Sequence, residues 1–406
     1  MPHAMALSGF IPSFLIVLGI SLLTTINHNF MQELCSVLCI SPGVTLETLT
    51  GKVFGLKMKN LVLYTISASQ LSAFIGCFIL TVDLLHHSFC GSEIPGVGCI
   101  SRYKIAGVLA IFNLLMVFIP NLKTFGYISS TSVIFQFIAL FCVFFSATKI
   151  FVTTDYAFEI FKQEIVYSNW DNSLKTLGII LFIFQRITFY LPIKSNYSQI
   201  QNFHSYYLSS MNSVFFYIFL ISCPCYFLFF ISGKEIVFQN FDQSFRIIEI
   251  TKLAYMTVIF LSNPINLFPI YNSIYSMKCF NNTLRESSNL KRYLFKLFIR
   301  IIICSIGIIF GILVTSFVKF CSFVGAFFFS FLGLILPGIM LWKIMRINPG
   351  NVDNINIQNS LSQYLILKKY SLGRKISHLT IIVIGVFIFV ISTYDSITDL
   401  YQFFSE

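Results

Sequence analysis

The chain has 406 residues, of which 56% are hydrophobic and only 11% charged, with a formal net charge of +11 and a mean hydropathy of +0.81. Soluble domains carry about 25% charged residues, so too few polar side chains remain here to cover a water-soluble enzyme. The same numbers exclude disorder and fit a polytopic α-helical membrane protein.

A helix needs roughly 20 mainly apolar residues to cross the hydrocarbon core. Ten stretches meet that need: 10–27, 61–82, 105–120, 125–148, 176–193, 212–233, 253–277, 301–318, 320–342 and 379–394. The joints at Asn121–Thr124 and around Lys319 are tight, so each flanking pair is expected to form an antiparallel hairpin. The longest polar stretch, about 343–378, is too short for a soluble domain, which leaves one membrane domain over 1–406.

Loop charge sets an orientation. Taken alternately, the loops 28–60, 121–124, 194–211, 278–300 and 343–378 hold 17 Lys/Arg and 4 acids. The loops 83–104, 149–175 and 234–252, with Lys319 and the C-terminal tail, hold 9 Lys/Arg and 12 acids. The positive-inside rule places the first set in the cytoplasm and the C-terminus outside. The basic residues are spread over several loops, so a nucleic-acid partner is not expected; the lipid bilayer is. An outside C-terminus after ten spans puts the start of the chain outside too. Only Met1–Gly9 precede the first span, and this segment reads as the last part of a helix whose beginning is absent.

The fifth stretch alone contains a formal charge, Arg186, beside Gln185 and six residues before Pro192. A charge near the bilayer centre costs roughly 3 kcal/mol on insertion scales, so Arg186 is expected to face water or a partner. The Pro frees a backbone carbonyl, which suits an interrupted helix. The alternative is a Pro-kinked helix whose Arg faces an aqueous vestibule and binds nothing. In the seventh stretch Ser262 and Asn263 precede Pro264, so a hydroxyl, an amide and a loosened carbonyl converge. That set can coordinate a small cation or hydrogen-bond a substrate, or bond to neighbouring helices. The second stretch carries Ser67, Ser69, Gln70 and Ser72, which read first as close helix packing, and is followed by Asp83, a solvated helix end or a gate-lining acid.

Of the eleven Cys, only Cys90 and Cys99 share an outside loop, where a short disulfide can form in an oxidising compartment. Cys223-Pro224-Cys225 has no His or acid nearby and makes a poor metal site. No P-loop, GxSxG, HExxH or paired-carboxylate constellation occurs. Nothing points to an enzyme or a cofactor.

Several segments together resemble one family. Phe182-Ile183-Phe184-Gln185-Arg186-Ile187-Thr188-Phe189-Tyr190-Leu191-Pro192 resembles the sixth-helix pattern Phe-Ala-Phe-Glu-Gly-Ile-Gly-x-x-Leu-Pro of the amino acid/auxin permease family of secondary transporters. Asn263-Pro264-Ile265-Asn266-Leu267-Phe268-Pro269 resembles its eighth helix, and Val324-Gly325-Ala326 through Leu334-Ile335-Leu336-Pro337-Gly338 its tenth. Gln70-Leu71-Ser72 through Asp83 is similar to its third helix, and Met1 to Gly9 to the second half of its first. The proton-coupled and vacuolar branches are nearest in look.

The resemblance implies an all-α membrane protein with the LeuT-like five-plus-five inverted-repeat helical bundle: ten full transmembrane helices plus a partial first. It implies a secondary transporter moving amino acids by alternating access, coupled to H+ or Na+, in a plasma, vacuolar or lysosomal membrane. A non-transporting amino-acid sensor or scaffold that kept the fold is the alternative. In such folds half-helix ends hold the substrate's charged groups. The residues expected to bind substrate are therefore Pro2, Ser69, Ser72, Phe182, Phe184, Gln185, Arg186 and Asn263, with Ser262 for the coupling ion. Gln185-Arg186 stands where the family has Glu-Gly, and Lys194 where a Glu often follows. Arg186 is expected to attract a substrate carboxylate or to replace a coupling cation.

Overall fold

The computed structural model describes residues 2–37, 44–91, 99–118, 122–153, 167–170, 172–184, 187–196, 202–229, 235–241, 246–276, 288–314, 316–346 and 372–405. Among them every regular element is helical, as a bilayer demands of a chain that must satisfy its own backbone groups segment by segment. In chain order these are α1 (Pro2–Ser8), α2 (Phe10–Val37), α3 (Leu46–Phe54), α4 (Leu56–Gly91), α5 (Arg102–Met116) and α6 (Leu122–Thr153). Then come α7 (Ser173–Phe184), α8 (Ile187–Asn196), α9 (Phe203–Phe229), a 3-10 turn (Val237–Gln239), α10 (Arg246–Ser262), a second 3-10 turn (Asn263–Leu267) and α11 (Phe268–Ser276). The last are α12 (Asn289–Leu313), α13 (Phe317–Val324), a π-helical segment (Gly325–Ile335), α14 (Leu336–Arg346) and α15 (Leu372–Ser405).

Nine helical segments among the described residues are long and apolar enough to cross a membrane. They match nine of the ten expected stretches. The tenth, 105–120, falls on α5, a helix of 15 residues, and its far end lies outside the described residues. Helices overrun the apolar stretches at both ends: α2 continues to Val37, and α4 covers Leu56–Gly91 where apolarity marks 61–82. Once a helix is nucleated each added residue gains a hydrogen bond, so it runs on until a cap or a glycine stops it. Gly9 and Gly55 are such stops. Both adopt positive φ, 91° and 90°, a region that only Gly enters without a steric cost, and they separate α1 from α2 and α3 from α4.

The joint expected around Lys319 is corrected by the structure. α12 ends at Leu313, Val314 is extended, and Lys319 lies inside α13, its N–H donating to Ser316 Oγ at 3.4 Å. A hydroxyl that takes an N–H near a helix start outweighs a single charge inside an apolar run. The hairpin joint at Asn121–Thr124 lies partly outside the described residues, with α6 starting at Leu122. Cys90 and Cys99 form the disulfide that the sequence allowed, their Cα atoms 4.4 Å apart.

The chain forms two compact units. The first is made of 1–6, 67–167 and 219–320, the second of 7–66, 168–218 and 321–406. In the first unit α6 packs along α10, and α5 along α12. Its core gathers Phe74 and Phe78 of α4, Ile105 and Leu109 of α5, Leu267, Ile270 and Tyr271 around the second 3-10 turn, and Ile303 and Cys304 of α12. Polar ties close one end: Arg102 Nε donates to Asp83 Oδ1 at 2.8 Å, and its Nη2 to the Val314 carbonyl at 3.2 Å.

In the second unit α7 packs against α2, α15 and the π segment, and α14 against α2 and α3. Its core joins Met31 and Leu34 of α2, Leu46 and Leu49 of α3, Tyr190 and Leu191 of α8, and Leu332, Leu336 and Met340. The α7 crossing is set by backbone. A Cβ placed on Gly178 would lie 2.5 Å from the Ser322 carbonyl oxygen, and one on Gly325 would strike the Gly178 carbonyl and come within 2.8 Å of Phe182 N. Small residues allow helices in a membrane to approach this closely.

Candidate functional site

A row of polar side chains in the second unit lies on α2. Ser21, Thr24, Thr25 and His28 follow the spacing i, i+3, i+4, i+7, which places them on one face of the helix. Together with Phe184 at the end of α7, and Leu208 and Met211 of α9, they line a small cavity with about 10 Å³ of room for a water centre, roughly one water's worth. His28 is 1% exposed. Its Nδ1–H donates to the Thr24 carbonyl at 2.7 Å, which leaves the lone pair on Nε2. That Nε2 is buried and has no hydrogen-bond partner. The imidazole lies against two tyrosines, with ring centroids 5.7 Å from Tyr190 and 5.0 Å from Tyr207.

Beside it runs a hydrogen-bonded line. Tyr190 Oη meets His204 Nδ1 at 3.1 Å, and His204 Nε2 meets Asn29 Oδ1 at 2.8 Å. A carboxamide oxygen only accepts, so His204 carries its proton on Nε2 and the Tyr190 hydroxyl donates to Nδ1. Asn29 is exposed, whereas Tyr190 is fully buried. The line thus joins the surface of this unit to the tyrosine that flanks His28.

Of the residues expected to bind substrate, Phe182 and Phe184 belong to this unit. Phe184 is buried and lines the cavity, and Phe182 packs on Phe329 of the π segment with centroids 5.6 Å apart. Gln185 and Arg186, between α7 and α8, lie outside the described residues, as does the Pro192 side chain. The π segment that faces α7 is itself uncommon, since π-helical turns occur mostly at functional places. Its Ala326 carbonyl accepts the hydroxyls of both Ser330 and Thr393, the latter at 3.3 Å. Ser8, at the end of α1, is bonded through its hydroxyl to Ser13 of α2 at 2.8 Å and to Thr176 of α7 at 3.1 Å.

The other expected residues belong to the first unit. Pro2 opens α1, where its missing N–H leaves no bond unmade. Ser69 is fully buried on α4, and the Ser72 hydroxyl donates to the Ala68 carbonyl at 2.9 Å. The Ser262 hydroxyl donates to the Val258 carbonyl at 2.5 Å, so its lone pairs stay available to a cation. Asn263 is 2% exposed, and its Oδ1 is buried with no hydrogen-bond partner. A buried amide oxygen left bare costs roughly 1–3 kcal/mol. Sequence reasoning missed His28 and its hydroxyl neighbours. The signal is a polar stripe of helical period on an apolar helix, hidden because apolarity ends the span at residue 27 and leaves His28 in the 28–60 loop.

The family described as transmembrane amino acid transporter protein matches residues 1–398. No curated protein matches the chain.

Proposed function

We propose that this chain, which belongs to the transmembrane amino acid transporter family, is a secondary active transporter that moves amino acids by alternating access, coupled to H+ or Na+. Family membership and the apolar helices make it a multi-pass membrane protein of amino acid transport. The family match over nearly the whole chain carries the reading. The whole chain acts as one transporter domain with the five-plus-five inverted-repeat arrangement, in a plasma, vacuolar or lysosomal membrane.

Substrate binding is assigned to Pro2, Ser69, Ser72, Phe182, Phe184, Gln185, Arg186 and Asn263, and ion coupling to Ser262. The bare Oδ1 of Asn263 supports its place as an acceptor for a substrate ammonium group or for a cation. Phe182 and Phe184 supply apolar surface for a side chain, and Arg186 a cation for the carboxylate.

The test is counterflow. Proteoliposomes containing the full chain and preloaded with an equimolar mixture of the twenty protein amino acids should exchange it for labelled mixture outside. Saturable binding of labelled amino acid without any exchange would replace the transporter by a sensor that kept the fold.

A further inference from the structure

We propose that His28, in the hydroxyl-lined cavity of α2, is a proton-binding site through which a pH gradient drives transport, a role that rests on the transporter reading above.

Three observations converge on it. The ring's tautomer is fixed by the Nδ1–H bond to the Thr24 carbonyl, so Nε2 is the basic nitrogen. That nitrogen is buried and without a partner, in a ring that is 1% exposed. The ring borders a cavity with room for one water, lined also by Ser21, Thr24 and Thr25, and a water in that space can accept an Nε2–H. An apolar niche would hold the neutral ring for good; a hydroxyl-lined one can hold either form.

The chemistry selects the occupant. A transition metal needs three or four ligands of suitable softness, and among the described residues the cavity lining offers one nitrogen and no thiolate or carboxylate. Sodium needs a cage of several oxygens and gains nothing from a lone imidazole. A proton needs one basic nitrogen and a place for the resulting charge. Binding transfers one proton from a hydronium ion to Nε2, leaving water and an imidazolium at the edge of a cavity that also has hydroxyl-bearing residues in its lining. The cation then favours whichever conformation solvates it better, and that preference is what coupling requires.

Among the described residues, the titratable groups facing the ring are Tyr190 of α8 and Tyr207 of α9, with His204 of α9 bonded to Tyr190 and Lys194 of α8 5.9 Å from the Tyr190 ring centroid. α7 contributes Phe184 to the cavity, and its one titratable residue, Lys175, lies at its other end. The π segment contains no titratable residue, and on α14 Lys343 sits over the Phe54 ring, 4.5 Å from its centroid. No acid is among these groups, so protonation adds a full positive charge.

The experiment compares two readouts in proteoliposomes made with the full chain, using a labelled equimolar mixture of the twenty protein amino acids. Counterflow at equal pH reports transport without a driving gradient; accumulation under an imposed pH gradient reports coupling. His28→Asn keeps a donor for the Thr24 carbonyl and removes the titrating nitrogen. It should retain counterflow while gradient-driven accumulation falls at least about tenfold, because the bare ring nitrogen that takes the proton is gone. Accumulation by His28→Asn at the wild-type level overturns the proposal, as does wild-type accumulation that ignores the pH gradient. Absence of wild-type counterflow overturns the transporter reading itself, and the proton site with it. Should His28→Asn lose both readouts, Ser21→Ala and Thr25→Val decide. Each removes a hydroxyl that stabilises the imidazolium, so half-maximal accumulation should move to lower pH by roughly half a unit with counterflow unchanged. An unmoved pH profile in both overturns the assignment.

Discussion

Both units bring helices together on glycines, but what meets the glycine differs. In the second unit a Cβ on Gly325 would strike the Gly178 carbonyl, and one on Gly178 would lie 2.5 Å from the Ser322 carbonyl oxygen. Main chain meets main chain. In the first unit a Cβ on Gly307 would lie 2.7 Å from Cδ1 of Phe74, and one on Gly311 2.6 Å from Cδ1 of Phe78. There, main chain meets a ring that can swing. A side chain yields by changing rotamer, whereas a peptide carbonyl in a helix yields only if the helix moves. The α7 crossing beside the π segment is therefore held to one geometry by its backbone, whereas the glycines of α12 in the first unit, like Gly338 of the second, which meets Ile382, face side chains.

That contrast is open to direct challenge by substitution. Gly325→Ala is expected to cost at least about 3 kcal/mol, at the upper end for overpacking, and to leave little monodisperse protein after size exclusion in detergent. Normal yield and melting temperature would show that the crossing has slack. Gly307→Ala should cost about 2 kcal/mol, and Phe74→Leu in the same chain should recover most of the lost melting temperature by clearing the ring. The corresponding partner change is not available at Gly325, where the obstacle is a carbonyl. Smaller effects come from the polar ties. Asp83→Asn removes the charge that faces Arg102, both side chains being about one-fifth exposed at 17% and 20%; about 1.5 kcal/mol is expected, with a lower thermal midpoint in detergent. Tyr190→Phe strands His204 Nδ1, itself only half-buried, and should cost about 1 kcal/mol. A larger loss than that of Asp83→Asn would mean that the line to Asn29 is a structural strut of the second unit.

The span pattern was legible in the sequence because apolarity over about twenty residues is a strong signal. What the apolar count obscured was where polar residues continue a helix. Thr24, Thr25, Asn27 and His28 lower the local hydropathy, and the first span was closed at residue 27, yet α2 runs on to Val37. The side chains that matter there are legible by period, not by hydropathy. Lys319 misled in the opposite way, since a charge looked like a break where the helix was already under way. The motif residues of the sixth helix led to Phe184, which does line the cavity, but its partners on α2 are about 160 positions away along the chain. Their meeting depends on how α7 packs against α2, which no local pattern encodes. The bare Asn263 Oδ1 was hinted at by Pro264, since the 3-10 turn at Asn263–Leu267 takes that residue out of regular α geometry.

The π-helical segment Gly325–Ile335 bears on how such a chain can change length over generations. A wider i→i+5 turn behaves like an α-helix that has taken in surplus residue. Loss of one codon within it can be absorbed by winding towards α geometry. The same loss in α7 has no reserve and would turn everything beyond it by about 100°, the angle between successive residues of an α-helix. Single-residue gaps among natural relatives should accordingly collect between Gly325 and Leu336 and be missing from Ser173–Phe184, so that this one membrane crossing would tolerate a kind of heritable accident that is ruinous in its neighbour.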